Sequence, residues 1–264
     1  MSATHNPDFM TEAQIHAFFT KAMKRPKSGG GANFDKWHIP GAEHRTVYRH
    51  HDTIGSGKYD CDTITDEWFR WFLTNPVSYN PFTNPSSAGS SLDSSSFGSR
   101  DLFLFQRNGT KVYFTTASPF QDPDFRTITL TEKAPLLIPI YNMSASAVDF
   151  PSKRNDPRAL VDIIMKDLSR LKAESVKASL DGEEINGCCV IRKGPLEVTI
   201  PKENVIGIPI DRLQKTNFRV DIYHGGFWLL IRERAISSGD HLLSFEAKSV
   251  NYEMNAKILI NSLV

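Results

Sequence analysis

The chain has 264 residues, 40% of them hydrophobic and 11% aromatic, which is enough to bury one large core or two modest ones. Lys and Arg number 31 and Asp and Glu 30, for a formal net charge of +1. With no long run of like charge and no stretch near the roughly 18 apolar residues of a membrane span, neither nucleic acid nor membrane is expected as a partner.

The N-terminus, Met1-Ser2-Ala3-Thr4-His5-Asn6-Pro7, lacks the basic and apolar regions of a secretory signal. This reads as cytoplasmic as written, or secreted if a signal has been removed. Thr11-Glu12-Ala13-Gln14 has the spacing of a capping box, and Ile15, Phe18, Phe19, Ala22 and Met23 follow on one helical face. Residues 27–33, rich in glycine, form a linker, so residues 1–33 are taken as a helical extension and 34–264 as the main domain.

Residues 34–62 are crowded with Asp35, His38, His44, His50, His51, Asp52, Asp60, Cys61 and Asp62. Residues 46–52 read as a strand, which puts His50 and Asp52 on one face and His51 on the other. His50 and Asp52 are the candidate acid/base pair. With His38, His44, Asp60 and Asp62 they are also candidate ligands for a divalent metal, the only cofactor the sequence suggests. The spacing matches no established metal motif, and histidines satisfied by backbone carbonyls on a half-exposed strand would show the same pattern. Asp60, Asp62 and Asp66 lack the Gly and bidentate Glu of an EF-hand loop, and capping by Thr65 and Asp66 accounts for part of that group. Cys61, Cys188 and Cys189 cannot all pair, and they read as buried free thiols in a reducing compartment.

Residues 66–76 predict a short helix, acidic in its first turn and stopped by Pro76. Trp68 and Trp71 fall at helical spacing, and with Tyr79 they are the candidate ligand-stacking residues, although core packing is the better first reading of the two tryptophans. The serine-dominated residues 86–99 read as a surface loop. Residues 102–105, 112–115, 126–130 and 136–142 then read as strands, with Asn108-Gly109 a hairpin turn and Pro139 marking an edge or bulged strand. Asn155-Asp156-Pro157 opens a helix with the stripe Leu160, Ile164, Leu168 and Leu171. Asp181-Gly182 is a second hairpin signal between residues 175–180 and 184–191, and residues 196–200 add a strand. In the last quarter, residues 218–223 alternate, Gly225-Gly226 is expected to turn, and residues 227–231 form a buried strand. Two further strands follow, separated by polar clusters. The expected fold is mainly β: a two-layer antiparallel sandwich, jelly-roll-like, with two or three peripheral helices.

The succession Trp68-x-x-Trp71, Asn75-Pro76, Asn80-Pro81, Val112-Tyr113-Phe114 and Pro135 with residues 138–142 resembles a broad, poorly characterised family of bacterial β-sandwich proteins. So do Leu180-Asp181-Gly182, Gly226-Phe227-Trp228-Leu229-Leu230 and residues 238–245. The resemblance spans roughly residues 68–260 and implies a fold without an assigned chemistry. The serine-rich insertion, the N-terminal extension and the lack of a signal peptide depart from it. Three classes of function follow from these readings. The first is a ligand-binding or interaction module for a carbohydrate or other small molecule. The second is a jelly-roll enzyme, a lyase, isomerase or cyclase using the His/Asp cluster, and the third is a capsid-like assembly protein, for which an oligomer is expected. No Gly-x-Ser-x-Gly elbow is present.

Overall fold

The computed structural model describes residues 8–11, 13–14, 17, 52–55, 57, 59–76, 102–115, 125–171, 176–205, 217–248 and 253–264. Among these described residues, two α-helices bounded at both ends, α1 (Cys61–Thr74) and α2 (Pro157–Leu168), accompany eleven strands. These are β1 (Leu102–Arg107), β2 (Thr110–Thr115), β3 (Phe125–Leu130), β4 (Leu136–Ser146), β5 (Lys177–Leu180), β6 (Glu183–Ile185), β7 (Cys188–Ile191), β8 (Leu196–Pro201), β9 (Asn217–Ile231), β10 (Gly239–Lys248) and β11 (Glu253–Ser262). The strands build the expected sandwich. A six-stranded sheet runs β1-β2-β4-β9-β7 with β8 also on β9, and a five-stranded sheet runs β3-β11-β10-β5-β6. Most neighbours are antiparallel, while β2/β4 and β3/β11 pair in parallel.

Both hairpin signals form two-residue turns. Asn108 and Gly109 take φ of 52° and 74°, and Asp181 and Gly182 take 53° and 84°; two successive positive φ values are what a type I′ turn requires. After β6 the chain does not continue the same strand to residue 191. It crosses at Asn186-Gly187 into the other sheet, so the run read as one strand is split between the two layers. The box at Thr11 is also present: the Thr11 backbone N–H donates to Gln14 Oε1 at 2.8 Å, and the Gln14 N–H donates to Thr11 Oγ1 at 3.2 Å.

Alternation along β9 divides the core. Tyr223, Phe227, Leu229 and Ile231 point between the sheets, where Ile138, Leu243, Phe245, Ile258 and Ile260 meet them. Val220, Ile222, Trp228 and Leu230 point the other way, onto Ile64, Trp68, Phe69 and Leu73 of α1. The order of layers is therefore α1, six-stranded sheet, five-stranded sheet. Helix α2 is capped as the sequence implies, with the Asp156 carboxylate accepting from Ala159 N–H at 3.0 Å and Pro157 at the first turn. Its stripe Leu160, Ile164 and Leu168 enters the core between the sheets.

Gly225 and Gly226 do not turn; they lie inside β9. At Pro139 the register of β4 on β9 shifts, the bulge that a proline in a strand favours. Opposite that bulge, a Cβ on Gly226 would sit 2.4 Å from the Tyr141 carbonyl oxygen, and one on Gly225 would sit 2.9 Å from Ile164 Cγ2 of α2. The glycine pair is thus needed for close approach. Gly226→Ala should lower stability in urea unfolding by about 1–3 kcal/mol, because backbone must yield. Gly225→Ala should cost less, since its nearest obstacle is a side-chain methyl.

Candidate functional site

His38, His44, His50, His51 and Tyr79 lie outside the described residues. The structure places Asp60, Asp62, Trp68 and Trp71 on or beside α1 and Asp52 against Arg232, just past β9. Asp60 is the helix N-cap: its Oδ1 accepts from Thr63 N–H at 2.8 Å, and Thr63 Oγ1 accepts from the Asp60 N–H at 3.0 Å. The helix begins at Cys61, earlier than the capping expected of Thr65 and Asp66. The Thr65 hydroxyl instead donates to the Asp62 carbonyl at 2.6 Å, and the Asp66 carboxylate turns into the protein. Asp62 is buried in the first turn. Asp52 forms an ion pair with Arg232. No group of three or more His, Cys, Asp or Glu able to hold a metal occurs among the described residues. Trp68 is 2% exposed; its indole N–H donates to the Thr115 carbonyl at 2.9 Å, and its ring packs on Phe72 and Trp228. Trp71 is half-buried and stacks on Phe103 of β1, centroids 5.6 Å apart.

The cysteines differ from expectation. Cys61 at the start of α1 and Cys188 on β7 form a disulfide, while Cys189 keeps its thiol on the opposite face of β7. Alternation explains the choice: only the even-numbered residues of β7 face α1. Burial pushes the Cys189 thiol well above its ordinary pKa, with the Asp62 charge adding to the effect. With one pair bonded, the inference from three free thiols to a reducing compartment loses its premise.

Beneath α1 lies a polar cluster that joins three elements. Asp66 of α1 accepts from His224 Nε2 of β9 at 2.7 Å and from Arg192, just past β7. Arg192 also donates to the Pro195 carbonyl at 3.0 Å and lies over the Phe9 ring, 5.1 Å from its centroid. Phe69 stacks on the His224 imidazole at 4.2 Å. Burial drives the His224 pKa below its ordinary value. The bond and charge of Asp66 oppose that shift, and the charge of Arg192 reinforces it. The ring is therefore neutral, with its proton on Nε2, and Nδ1 finds no hydrogen-bond partner among the described residues. A ring with 0% exposure, bonded to a carboxylate that a guanidinium already neutralises, has no access to a substrate. The cluster fixes α1 to the sheet.

A second His/Asp pair sits where β10 of the other sheet begins, beside the β5–β6 turn. His241 Nδ1 lies 2.7 Å from Asp181 Oδ2, and its Nε2 lies 3.0 Å from the Ser237 carbonyl oxygen and 3.2 Å from Ser237 Oγ. Ser, His and Asp in this order evoke a nucleophilic triad, but although burial opposes it, the bonds to Asp181 and the Ser237 carbonyl draw the ring toward its charged form. The imidazolium donates from both nitrogens and cannot take a proton from the Ser237 hydroxyl; only the neutral ring can accept from that hydroxyl through Nε2.

The outward face of the five-stranded sheet carries a groove of about 370 Å³. Register builds it. Glu184, Ser179, Ser244 and Lys257 form one cross-strand row over β6, β5, β10 and β11, and Lys177, Glu246 and Asn255 form the next. All of these line the groove, with Gly182 at its end, and Lys177 is ion-paired to Glu246 at 3.1 Å. The inward neighbours Ala178, Phe245 and Ile258 belong to the core. Apart from Gly182, read as half of a hairpin turn, the groove residues carry no sequence signal, because outward polar positions on a strand look alike whether they bind or are merely solvated.

No family model, curated protein or solved structure matches the chain. Two stability measurements separate the roles of the charged pairs. Asp66→Ala leaves Arg192 buried without its carboxylate and should cost about 3–5 kcal/mol. Arg219→Ala, removing an exposed partner of Glu197, should cost about 0–1 kcal/mol by the same unfolding assay.

Proposed function

We propose that the protein is a ligand-binding β-sandwich module that holds a small, hydroxyl-rich molecule, of the size of one or two sugar units, in the groove on the outward face of its five-stranded sheet. The observation that supports this reading is the groove's composition: two hydroxyls, an amide, two carboxylates and two ammonium groups, all on rigid strands. Such a set offers donors and acceptors at close spacing, as a polyol needs, and its cross-strand arrangement costs little side-chain ordering on binding. Phe245, Ala178 and Ala256 also line the groove, but the Phe245 side chain is buried in the core, so hydrogen bonding rather than ring stacking supplies most of the affinity. The groove also lacks the imidazole and thiol groups that most often carry proton transfer or nucleophilic attack.

The test is an NMR titration of the labelled protein with a panel of neutral mono- and oligosaccharides. Shift changes should be confined to β5, β6, β10 and β11. Glu184→Ala and Asn255→Ala should each weaken binding by roughly two- to tenfold, the worth of one hydrogen bond of about 0.5–1.5 kcal/mol. Ser244→Trp, which fills the groove, should abolish binding while leaving the thermal midpoint nearly unchanged. Saccharide binding that perturbs only the Trp71 and Phe103 surface, or no binding across the panel, would overturn the assignment.

A further inference from the structure

The turn that closes one end of the groove is held to β10 by one imidazole and by two bonds to the Leu242 backbone. Asp181 and Gly182 connect β5 to β6, and Gly182 and Glu184 line the groove. The Asp181 carboxylate reaches across to β10, where Oδ1 accepts from the Leu242 backbone N–H at 2.7 Å and Oδ2 accepts from His241 Nδ1 at 2.7 Å. The Asp181 N–H in turn donates to the Leu242 carbonyl at 2.8 Å. On its other side His241 Nε2 donates to the Ser237 carbonyl, in the loop after the 3₁₀ turn Glu233–Ala235. Three separate segments therefore converge on one ring. Its side chain is 11% exposed, whereas the carboxylate it holds is 47% exposed.

We propose that His241 is a pH-operated latch on the groove: its imidazolium ties the Asp181-Gly182 turn to the residue 237 loop through two charge-assisted bonds, and loss of the second ring proton takes the charge out of the Asp181 tie, exchanges the bond to the Ser237 carbonyl for one from the Ser237 hydroxyl, and so loosens the wall formed by Gly182 and Glu184. The latch as a regulator of binding rests on the groove being the ligand site; the latch as a local structural switch does not. A neutral imidazole has one N–H, which the Asp181 carboxylate takes, while its bare Nε2 can only accept, from the Ser237 hydroxyl at 3.2 Å; deprotonation therefore weakens both ties by removing their ionic character. The charged groups around the ring are Asp181 from the β5–β6 turn and Asp240 from β10 itself. Burial opposes protonation, but the bonds to Asp181 and Ser237 and the two negative charges outweigh it, and the ring titrates above its ordinary value. Asp181 shows the reciprocal effect: burial would raise its pKa, and the bonds to His241 and to the Leu242 N–H, with the imidazolium charge, bring it below the usual value. The signs then define the window. The tie contributed by His241 is complete below the pKa of a free histidine and is lost as pH rises through the higher folded value. The tie contributed by Asp181 is complete above the pKa of a free aspartate and is lost as pH falls through its lower folded value. The latch is closed in mildly acidic solution and opens on the alkaline side of the histidine titration.

The experiment uses the full chain without ligand. The His241 ring and the backbone amides of Gly182, Glu184 and Leu242 are followed by NMR across pH 5–9. The ring midpoint should lie above about 6.5, the value of an unperturbed histidine. The three amides should shift with that same midpoint, and protection of Leu242 against hydrogen exchange should fall several-fold beyond the intrinsic pH effect. His241→Gln, which keeps the fold and one donor, should remove the step. Asp181→Asn, which suits the positive φ at this turn, should bring the ring midpoint down. Amides that ignore the His241 titration, or a step that persists in His241→Gln, would overturn the latch. Repeating the saccharide titration at both ends of the range then reads its effect on the groove: a latch that titrates without any saccharide binding sinks the groove reading and leaves the switch intact.

Discussion

A strand buried on both faces has no surface on which to leave a mismatch, and β9 is such a strand for most of its fifteen residues. It pairs with β4, β7 and β8, carries the sandwich core on its odd-numbered side chains and the helix-facing core on its even-numbered ones. Every irregularity along it must be compensated by a neighbour. The proline bulge in β4 is matched by Gly226, the approach of α2 by Gly225, and the single imidazole by a carboxylate on α1. Helix α1 is consequently more than a cover. It supplies the acceptor that lets His224 be buried at all, and the buried guanidinium of Arg192 prevents that acceptor from standing as an uncompensated charge.

This division of labour explains why the polar residues most deeply buried are not the ones proposed to bind. Asp66, Arg192 and His224 lie between helix and sheet, where packing determines their geometry and solvent does not reach the ring. The groove lies on the far face of the other sheet, beyond the second core layer. Its residues alternate with core residues along the same strands, so Ser244 projects outward between Leu243 and Phe245, which hold the sheet in place. Outward side chains on such strands can change without disturbing the core, which is the arrangement a binding surface on a rigid scaffold requires.

The fold was legible in the sequence where a local rule admits one geometry. Asn108-Gly109 and Asp181-Gly182 demand two positive φ values, and few structures other than a type I′ hairpin supply them between apolar alternations. The stripe on α2 and its Asp-Pro start are as specific. Gly225-Gly226 does not turn because a glycine pair signals freedom from a Cβ and not the use made of it; here it serves close approach, of β4 at Gly226 and of α2 at Gly225, both distant in sequence. The Cys61–Cys188 bond, 127 residues apart in sequence, is likewise a tertiary fact that spacing alone could not reveal. Asp66 resembled a first-turn helix acid, yet the helix starts five residues earlier and carries it to the buried face. For the site, the density of His and Asp before residue 62 drew the eye, and much of it lies outside the described residues. The groove was invisible for the opposite reason: serine, asparagine and lysine on alternate strand positions are the commonest way to face water.

Two histidines in this protein each approach an aspartate to 2.7 Å, and they are driven in opposite directions. The difference does not lie in the pair itself. At His224 the carboxylate is shared with Arg192, so a proton added to the ring would meet a net charge already near zero while losing all of its hydration; burial wins and the ring stays neutral. At His241 the carboxylate is bound only to the ring and a backbone N–H, a second acceptor waits on the other nitrogen, Asp240 adds its charge, and the aspartate remains half in water. There the charged form gains two hydrogen bonds and forfeits little solvation. The same two side chains therefore make a fixed structural tie in one layer and a titratable one in the other, and the deciding variables are the third group at the carboxylate and the exposure of the pair, neither of which is written in the spacing of the residues themselves.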